Sequence, residues 1–336
     1  PLTLAGTVTG TSGTFESTLT LTGDAGGGSN FNAVSGAIGG NLKLEVSSFA
    51  PIGGSAEAGS WKLSGANTYT GTTTLNAGVL QADQADVAGV SGALGNGGDI
   101  LFKGGTLQYT ANSANTDYSA RIKSSTNALN FDTNGQSVTF GTALASTNTG
   151  GLTKSGAGTL DILMGTSYSG TTTINDGTLR FTNTADLVGT SAVNFNINNG
   201  STLEFESSVG GANRTVLNNK VFTFDSNGGG TINFDGGNHL FQGGVHTFIT
   251  TGGLKNTISR TNGAFINNQG SGNTLFNVAD GSDEVDLELS AQWSNGTLTK
   301  SGAGDNGDYG SSWWQLCLGH RCRHPGDRGL LQPQWW

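Results

Sequence analysis

Glu204 and Glu206 are a pair of carboxylates two residues apart, and paired carboxylates can share the acid and base work of glycoside hydrolysis. They alternate with Leu203 and Phe205, so a strand here sends both acids to one side and both apolar groups to the other. The same pattern is that of a strand whose polar face simply meets water. A second acidic set is Asp280, Asp283, Glu284, Asp286 and Glu288, in which Asp286 and Glu288 alternate with Leu287 and Leu289 in the same way. Asp280-Gly281-Ser282-Asp283 has the composition of a weak calcium loop but lacks the nonapeptide period of calcium-binding β-rolls. His239 and His246, near Phe241 and Phe248, fit consecutive strands. A general base there has no nucleophile or acid partner at a fixed spacing, so both are read as surface or partly packed histidines. Cys317, His320, Cys322 and His324 place four metal-type ligands within eight residues, but the spacing matches no zinc knuckle. A Cys317–Cys322 disulfide is the other chemistry open to that set. Gly228-Gly229-Gly230 is a turn and not a phosphate loop, since no Gly-Lys-Ser/Thr follows and no helix begins there. No catalytic, cofactor-binding or metal-binding residue is therefore assigned, and no cofactor is expected.

The elements that would position these groups are strands. Ser, Thr, Asn and Gly dominate the chain, and all four disfavour helix interiors. Apolar residues alternate in short runs, as in Leu42, Leu44, Val46; Phe222, Phe224; Ile232, Phe234; and Leu287, Leu289. Gly or Asn clusters separate the runs, and such a cadence belongs to a sandwich, a barrel or a solenoid. Of the 336 residues 57 are glycine and only 4 are proline, without the three-residue glycine period of collagen. Hydrophobic residues make up 34% and charged residues 12%, which does not fit disorder. The net charge of -9 without a basic patch excludes nucleic acid as a partner. No run approaches the length of a membrane helix.

Internal repetition decides among the all-β architectures. Residues 59–81 and 158–180 share order and spacing: Tyr69 matches Tyr168, Gly71 matches Gly170, Leu75 matches Ile174, and Gly78 matches Gly177. Leu152-Thr153-Lys154-Ser155-Gly156-Ala157-Gly158 recurs as Leu298-Thr299-Lys300-Ser301-Gly302-Ala303-Gly304. Leu63, Tyr69, Leu75 and Leu80 are expected to point inward, and Thr72-Thr73-Thr74-Leu75 is expected to be a strand. One such unit cannot bury its own apolar side, whereas stacked units form a continuous core. Asn67, Asn76 and Asn175 either stack into hydrogen-bonded ladders along the stack or serve as residues tolerant of tight turns.

These residues carry a resemblance. The Leu-Thr-Lys-Ser-Gly-Ala-Gly-Thr-Leu run from Leu152, the centre around Tyr69 and Gly71, and Asn76-Ala77-Gly78-Val79-Leu80 together resemble the autotransporter-associated β-strand repeat, also called the passenger-associated transport repeat. The match covers residues 59–81 and 152–180, with a partial copy at 296–304. The resemblance implies a right-handed, single-stranded parallel β-helix, or β-solenoid. It also implies a structural or adhesive passenger segment of a secreted bacterial surface protein, exported through an outer-membrane barrel and carrying no catalytic residues. The expected localisation is secreted or at the cell surface. The expected partners are cell-surface or polysaccharide ligands held by weak multivalent contacts, and other copies of the chain end to end. The rival reading is a β-helix polysaccharide lyase or glycoside hydrolase.

Residue 1 is Pro and the only methionine is Met164, so the sequence is expected to be processed or a fragment. Residues 1–304 read as the passenger-like segment. Residues 305–336 break the pattern, holding four of the six tryptophans and both cysteines. A change of reading frame accounts for the break, since a Trp-Trp pair shifted by one base begins with Gly. That tail is expected to be disordered or out of frame.

Overall fold

The computed structural model describes residues 2–10, 15–23, 31–47, 59–182, 194–207, 214–225, 227–268, 273–280, 286–291, 293–295 and 297–302. Within them the elements are short strands and one helical turn, the 3-10 segment Ser119–Arg121. The tail set Cys317, His320, Cys322 and His324 lies outside the described residues, as do Asp283 and Glu284. The chain forms two compact units, residues 1–160 and 161–336.

In the first unit each strand pairs in parallel with a strand one coil further on. Thr3–Leu4, Asn32–Val34, Ser60–Leu63, Val79–Ala82, Thr106–Gln108, Leu129–Asp132 and Leu152–Ser155 follow one another across one sheet. Ser17–Leu21, Leu42–Val46, Thr73–Leu75 and Ile100–Phe102 build another. The expected inward positions are inward: Leu63, Tyr69, Leu75 and Leu80 have no exposed surface.

The second unit has three parallel faces. Thr172–Ile174, Phe195–Ile197, Val221–Phe224, Val245–Thr250, Asn273–Val278 and Thr297–Ser301 form the first. Thr178–Thr182, Thr202–Glu206, Thr231–Asp235, Asn256–Thr261 and Leu287–Leu289 form the second. Arg214–Asn218, Asn238–Gln242, Phe265–Asn268 and Trp293–Ser294 form the third. Both units are β-solenoids, as the repeats require. Strands buried on one side alternate in burial, and parallel pairing in register brings like side chains together from coil to coil. Phe195, Phe222, Phe248 and Phe276 thereby stack in one column, with successive ring centroids 5.3, 4.7 and 5.2 Å apart. Lys300 follows Phe276 in the same register.

Corners need special backbone. Gly78 and its repeat equivalent Gly177 have φ of +75° and +64°, where a side chain is strained. At Gly78 a Cβ would also run into the carbonyl oxygen of Gly59. The ladder reading of the asparagines holds at one position and not at another. Asn198 Nδ2 donates to Asn175 Oδ1 at 2.9 Å, a rung of a ladder. Buried Asn67 instead joins backbone to backbone: its Oδ1 accepts from Ile38 N–H and its Nδ2 donates to the Ala93 carbonyl.

Candidate functional site

The outward side of the second face in the 161–336 unit brings together Arg180, Glu204, Glu206 and Asp235. Register fixes it. Arg180 pairs with Glu204, which pairs with Asn233, while Thr182, Glu206, Asp235 and Thr261 form the next row. Strands about 4.8 Å apart then hold these side chains within reach of one another. Arg180 Nε lies 3.2 Å from Glu204 Oε1, and its Nη1 lies 3.8 Å from Glu206 and 3.9 Å from Asp161. Thr182 Oγ1 donates to Asp161 at 2.7 Å. Asp235 Oδ1 accepts from Thr261 Oγ1 at 2.5 Å and from Asn262 Nδ2 at 2.7 Å. Burial raises the pKa of Glu204 above the usual carboxylate value; Arg180 opposes that shift, while Asp235, Glu206 and Asp161 add to it.

Glu204, Glu206 and Asp235 each bring an oxygen within 4.8 Å of the others. That is close enough for a divalent cation, and near the roughly 5 Å that a retaining glycosidase pair uses. The donors already present argue for a simpler state. One guanidinium pairs by charge with both glutamates, and a hydroxyl and an amide donate hydrogen bonds to Asp235, so the group is a network of ion pairs and hydrogen bonds on a half-buried surface. None of the three is assigned as a metal ligand or catalytic acid.

The other sequence candidates do not join this group. Glu288 pairs with Lys255 at 2.6 Å. Asp286 is 5% exposed and so is not on a solvated face, unlike its expected alternation with Glu288. Asp280 is exposed. Gly228 and Gly229 have φ of +68° and +75° and form the turn expected of them.

The histidines differ most from expectation. They do sit on consecutive strands, Asn238–Gln242 and Val245–Thr250, but both are fully buried, not superficial. His239 has its ring against Phe234 and its Nε2 within 3.2 Å of the Asp235 carbonyl, while its Nδ1 has no partner among the described residues. His246 stands against the ring of Phe241 with centroids 4.3 Å apart. Burial lowers both imidazoles to a pKa of about 4. A second feature that alternation conceals is Lys154, which points inward in register with Phe131 and has no exposed surface. Its Nζ donates to the carbonyls of Ser155 and Gly156 at 3.1 and 2.6 Å. A buried ammonium is tolerated where its donors are met, and the turn after the strand supplies the acceptors.

The repeated units also share a buried contact. Tyr69 and Thr73 are joined by a hydrogen bond, and so are their equivalents Tyr168 and Thr172. The stretches that share this core detail are those that match the model of the passenger-associated-transport-repeat, over residues 56–82 and 152–181. The chain carries two passenger-associated transport repeats. It is also 30% identical over 234 residues to the adhesin BmaC autotransporter of Brucella suis biovar 1 (strain 1330). That similarity covers 66% of this chain and 7% of the relative, so the repeat-bearing chain corresponds to a small part of the relative's length. No solved structure matches the chain.

Proposed function

We propose that this repeat-bearing chain is a structural and adhesive passenger segment of a secreted bacterial surface protein of the autotransporter type, without catalysis of its own. The observation that carries the reading is the pair of passenger-associated transport repeats at 56–82 and 152–181. The similarity to a protein named as an autotransporter adhesin supports it. The physical chemistry agrees: coils held by stacked Leu, Ile, Val and Phe columns give length and stiffness, and the outward rows are Thr, Asn, Ser and paired charges. Such a surface suits weak contacts multiplied along a long protein better than one tight site.

On this reading the segment is exported through an outer-membrane barrel and works at the cell surface. Its ligands are cell-surface molecules or polysaccharides, and its coils associate end to end with other copies. Residues 1–304 make up the passenger segment, and residues 305–336 are read out of frame. Sequencing the locus tests that division: the absence of a resumed repeat in either other frame would count against it.

The deciding experiment displays the chain on bacteria through a heterologous export barrel. Adhesion to glycan-coated and protein-coated surfaces is then compared with that of cells bearing the barrel alone. Surface display with increased adhesion is expected. Display without any gain over the barrel on all surfaces would defeat the adhesive reading. The spacing of Glu204, Glu206 and Asp235 supplies the one specific observation for the glycoside-hydrolase alternative. Turnover of neutral or acidic polysaccharide by the wild type, abolished in Glu204→Gln, would establish it.

A further inference from the structure

We propose that Lys220, Gln242 and His246 form an acid-operated latch, in which protonation of His246 opens the coils spanning residues 214–250 while the 1–160 unit stays closed. The latch is a neutral imidazole used at both nitrogens. His246 Nδ1 accepts the backbone N–H of Lys220 at 3.2 Å, which bridges one coil to the next. His246 Nε2 lies 3.1 Å from the Gln242 carbonyl, so Nε2 carries the proton and donates. This fixes the tautomer and leaves no free position on the ring. A proton taken from solvent has only Nδ1 to bind, and the N–H formed there then faces the Lys220 N–H. The intercoil bond breaks, a buried donor is orphaned, and a positive charge is created in the core.

Among the described residues the Gln242 carbonyl favours that charge, but burial outweighs it. Phe241 covers the ring from the preceding strand, where His239 is the other titratable group. Thr274, in register with His246 on the next coil, is neutral and shares a hydrogen bond with Asn268, also neutral. Among the described residues the charge acting on His246 is that of Lys220, which has the same sign and is itself buried. The imidazole's low pKa, about 4 against 6.5 in an unfolded chain, is the expected consequence. Because the open form binds the proton more tightly, closure is complete above pH 6.5 and weakens as the pH falls from 6.5 towards 4. From His246 alone, the opening equilibrium at pH 5 is about 30-fold greater than at pH 7.5. The 1–160 unit provides an internal control, since the four histidines of the chain are His239, His246, His320 and His324.

Hydrogen exchange read by mass spectrometry at pH 7.5 and 5.0, corrected for intrinsic rates, tests the latch on the whole chain. Peptides within 214–250 should lose protection by about 30-fold or more on acidification, since His239 in the same segment adds to the His246 share, while peptides within 60–160 keep theirs. His246→Gln should reduce that loss by about 30-fold, the share of His246, and leave any share due to His239. Equal protection at both pH values in the wild type, or an undiminished acid response in His246→Gln, would overturn the proposal. Should His246→Gln fail to fold, titration of the wild-type imidazole by NMR decides. A His246 resonance titrating near 6.5 with the surrounding amides still protected would also overturn it.

Discussion

Tyr69 and Thr73 share a buried hydrogen bond of 2.7 Å between Oη and Oγ1 at the point where the chain turns into the strand Thr73–Leu75. Ninety-nine residues on, Tyr168 and Thr172 repeat it at 2.5 Å. Both tyrosines are fully or almost fully buried, and burial raises their pKa beyond the ordinary tyrosine range. The repeat thus preserves a polar contact inside the core, where each hydroxyl satisfies the other.

Tyr69→Phe removes one partner and leaves the Thr73 hydroxyl buried alone. The expected loss is about 1–3 kcal/mol, measured by urea unfolding. Thr73→Val in the Tyr69→Phe background should recover part of it, because no orphaned group then remains. If the double variant is less stable than Tyr69→Phe by the full cost of Thr73→Val alone, the two hydroxyls do not act as a pair.

Gly78→Ala forces a side chain into a left-handed backbone position and against the Gly59 carbonyl. Gly97→Ala meets the same left-handed strain, at φ of +97°, but opens onto free space. Thermal unfolding should therefore show Gly78→Ala as the more damaging of the two, with Gly97→Ala costing about 1 kcal/mol. Equal shifts in melting temperature would mean that the close approach at Gly78 relaxes without cost.

Phe222→Ala empties the middle of the aromatic column, between Phe195 and Phe248. A loss of about 3–5 kcal/mol is expected, in line with other buried phenylalanines. Phe15, at 83% exposure, is the comparison, and its alanine variant should stay within about 0.5 kcal/mol of wild type. The contrast is read from denaturant midpoints.

Arg180→Met withdraws the guanidinium that serves Glu204, Glu206 and Asp161. Glu204, already raised by burial, should rise further. A carboxylate whose folded pKa lies above its unfolded value is destabilised when ionised, and the penalty is relieved as the pH falls through the folded value. The variant should be less stable than wild type at pH 7, with the gap narrowing towards pH 4. A gap that is constant with pH would show that Arg180 acts through packing of its alkyl stem and not through charge.

His239→Gln tests a second buried imidazole independently of His246. His239 is lowered to about 4 by burial, and the nearby Asp235 charge and the Asp235 and Gly236 carbonyls only partly offset this. Its contribution is present above pH 6.5 and lost on descent to pH 4, so the variant's unfolding midpoint should vary less with pH over that window than the wild type's. An unchanged slope would indicate that His239 is protonated in place without cost.

Much of this architecture is legible in the residues themselves. The alternation at Leu42, Leu44 and Val46 gives a strand with one buried side, and the strand Leu42–Val46 has it. Gly78 and Gly177, at equivalent places in the two repeats, mark corners because a left-handed turn is cheap only for glycine. Thr73–Leu75 is a strand where a β-branched run meets a leucine. These features depend on neighbours two to seven residues away, so a local pattern suffices to find them.

Register between coils decided the rest. Arg180 meets Glu204, and Glu206 meets Asp235, through parallel pairing of strands more than twenty residues apart, and no local spacing encodes that pairing. Alternation also conceals which polar groups are buried. Lys154 occupies a core position because the turn after its own strand offers two carbonyls to its ammonium. His246 occupies another because the Lys220 N–H arrives from the preceding coil to meet its free nitrogen. The sequence by itself determined a stack of short strands with glycine corners, since period two and positive φ are properties of single residues and their neighbours. Which polar side chains lie inside that stack was settled only by tertiary structure, because a buried charge or imidazole is stable only where the folded backbone, of its own turn or of another coil, brings partners to it.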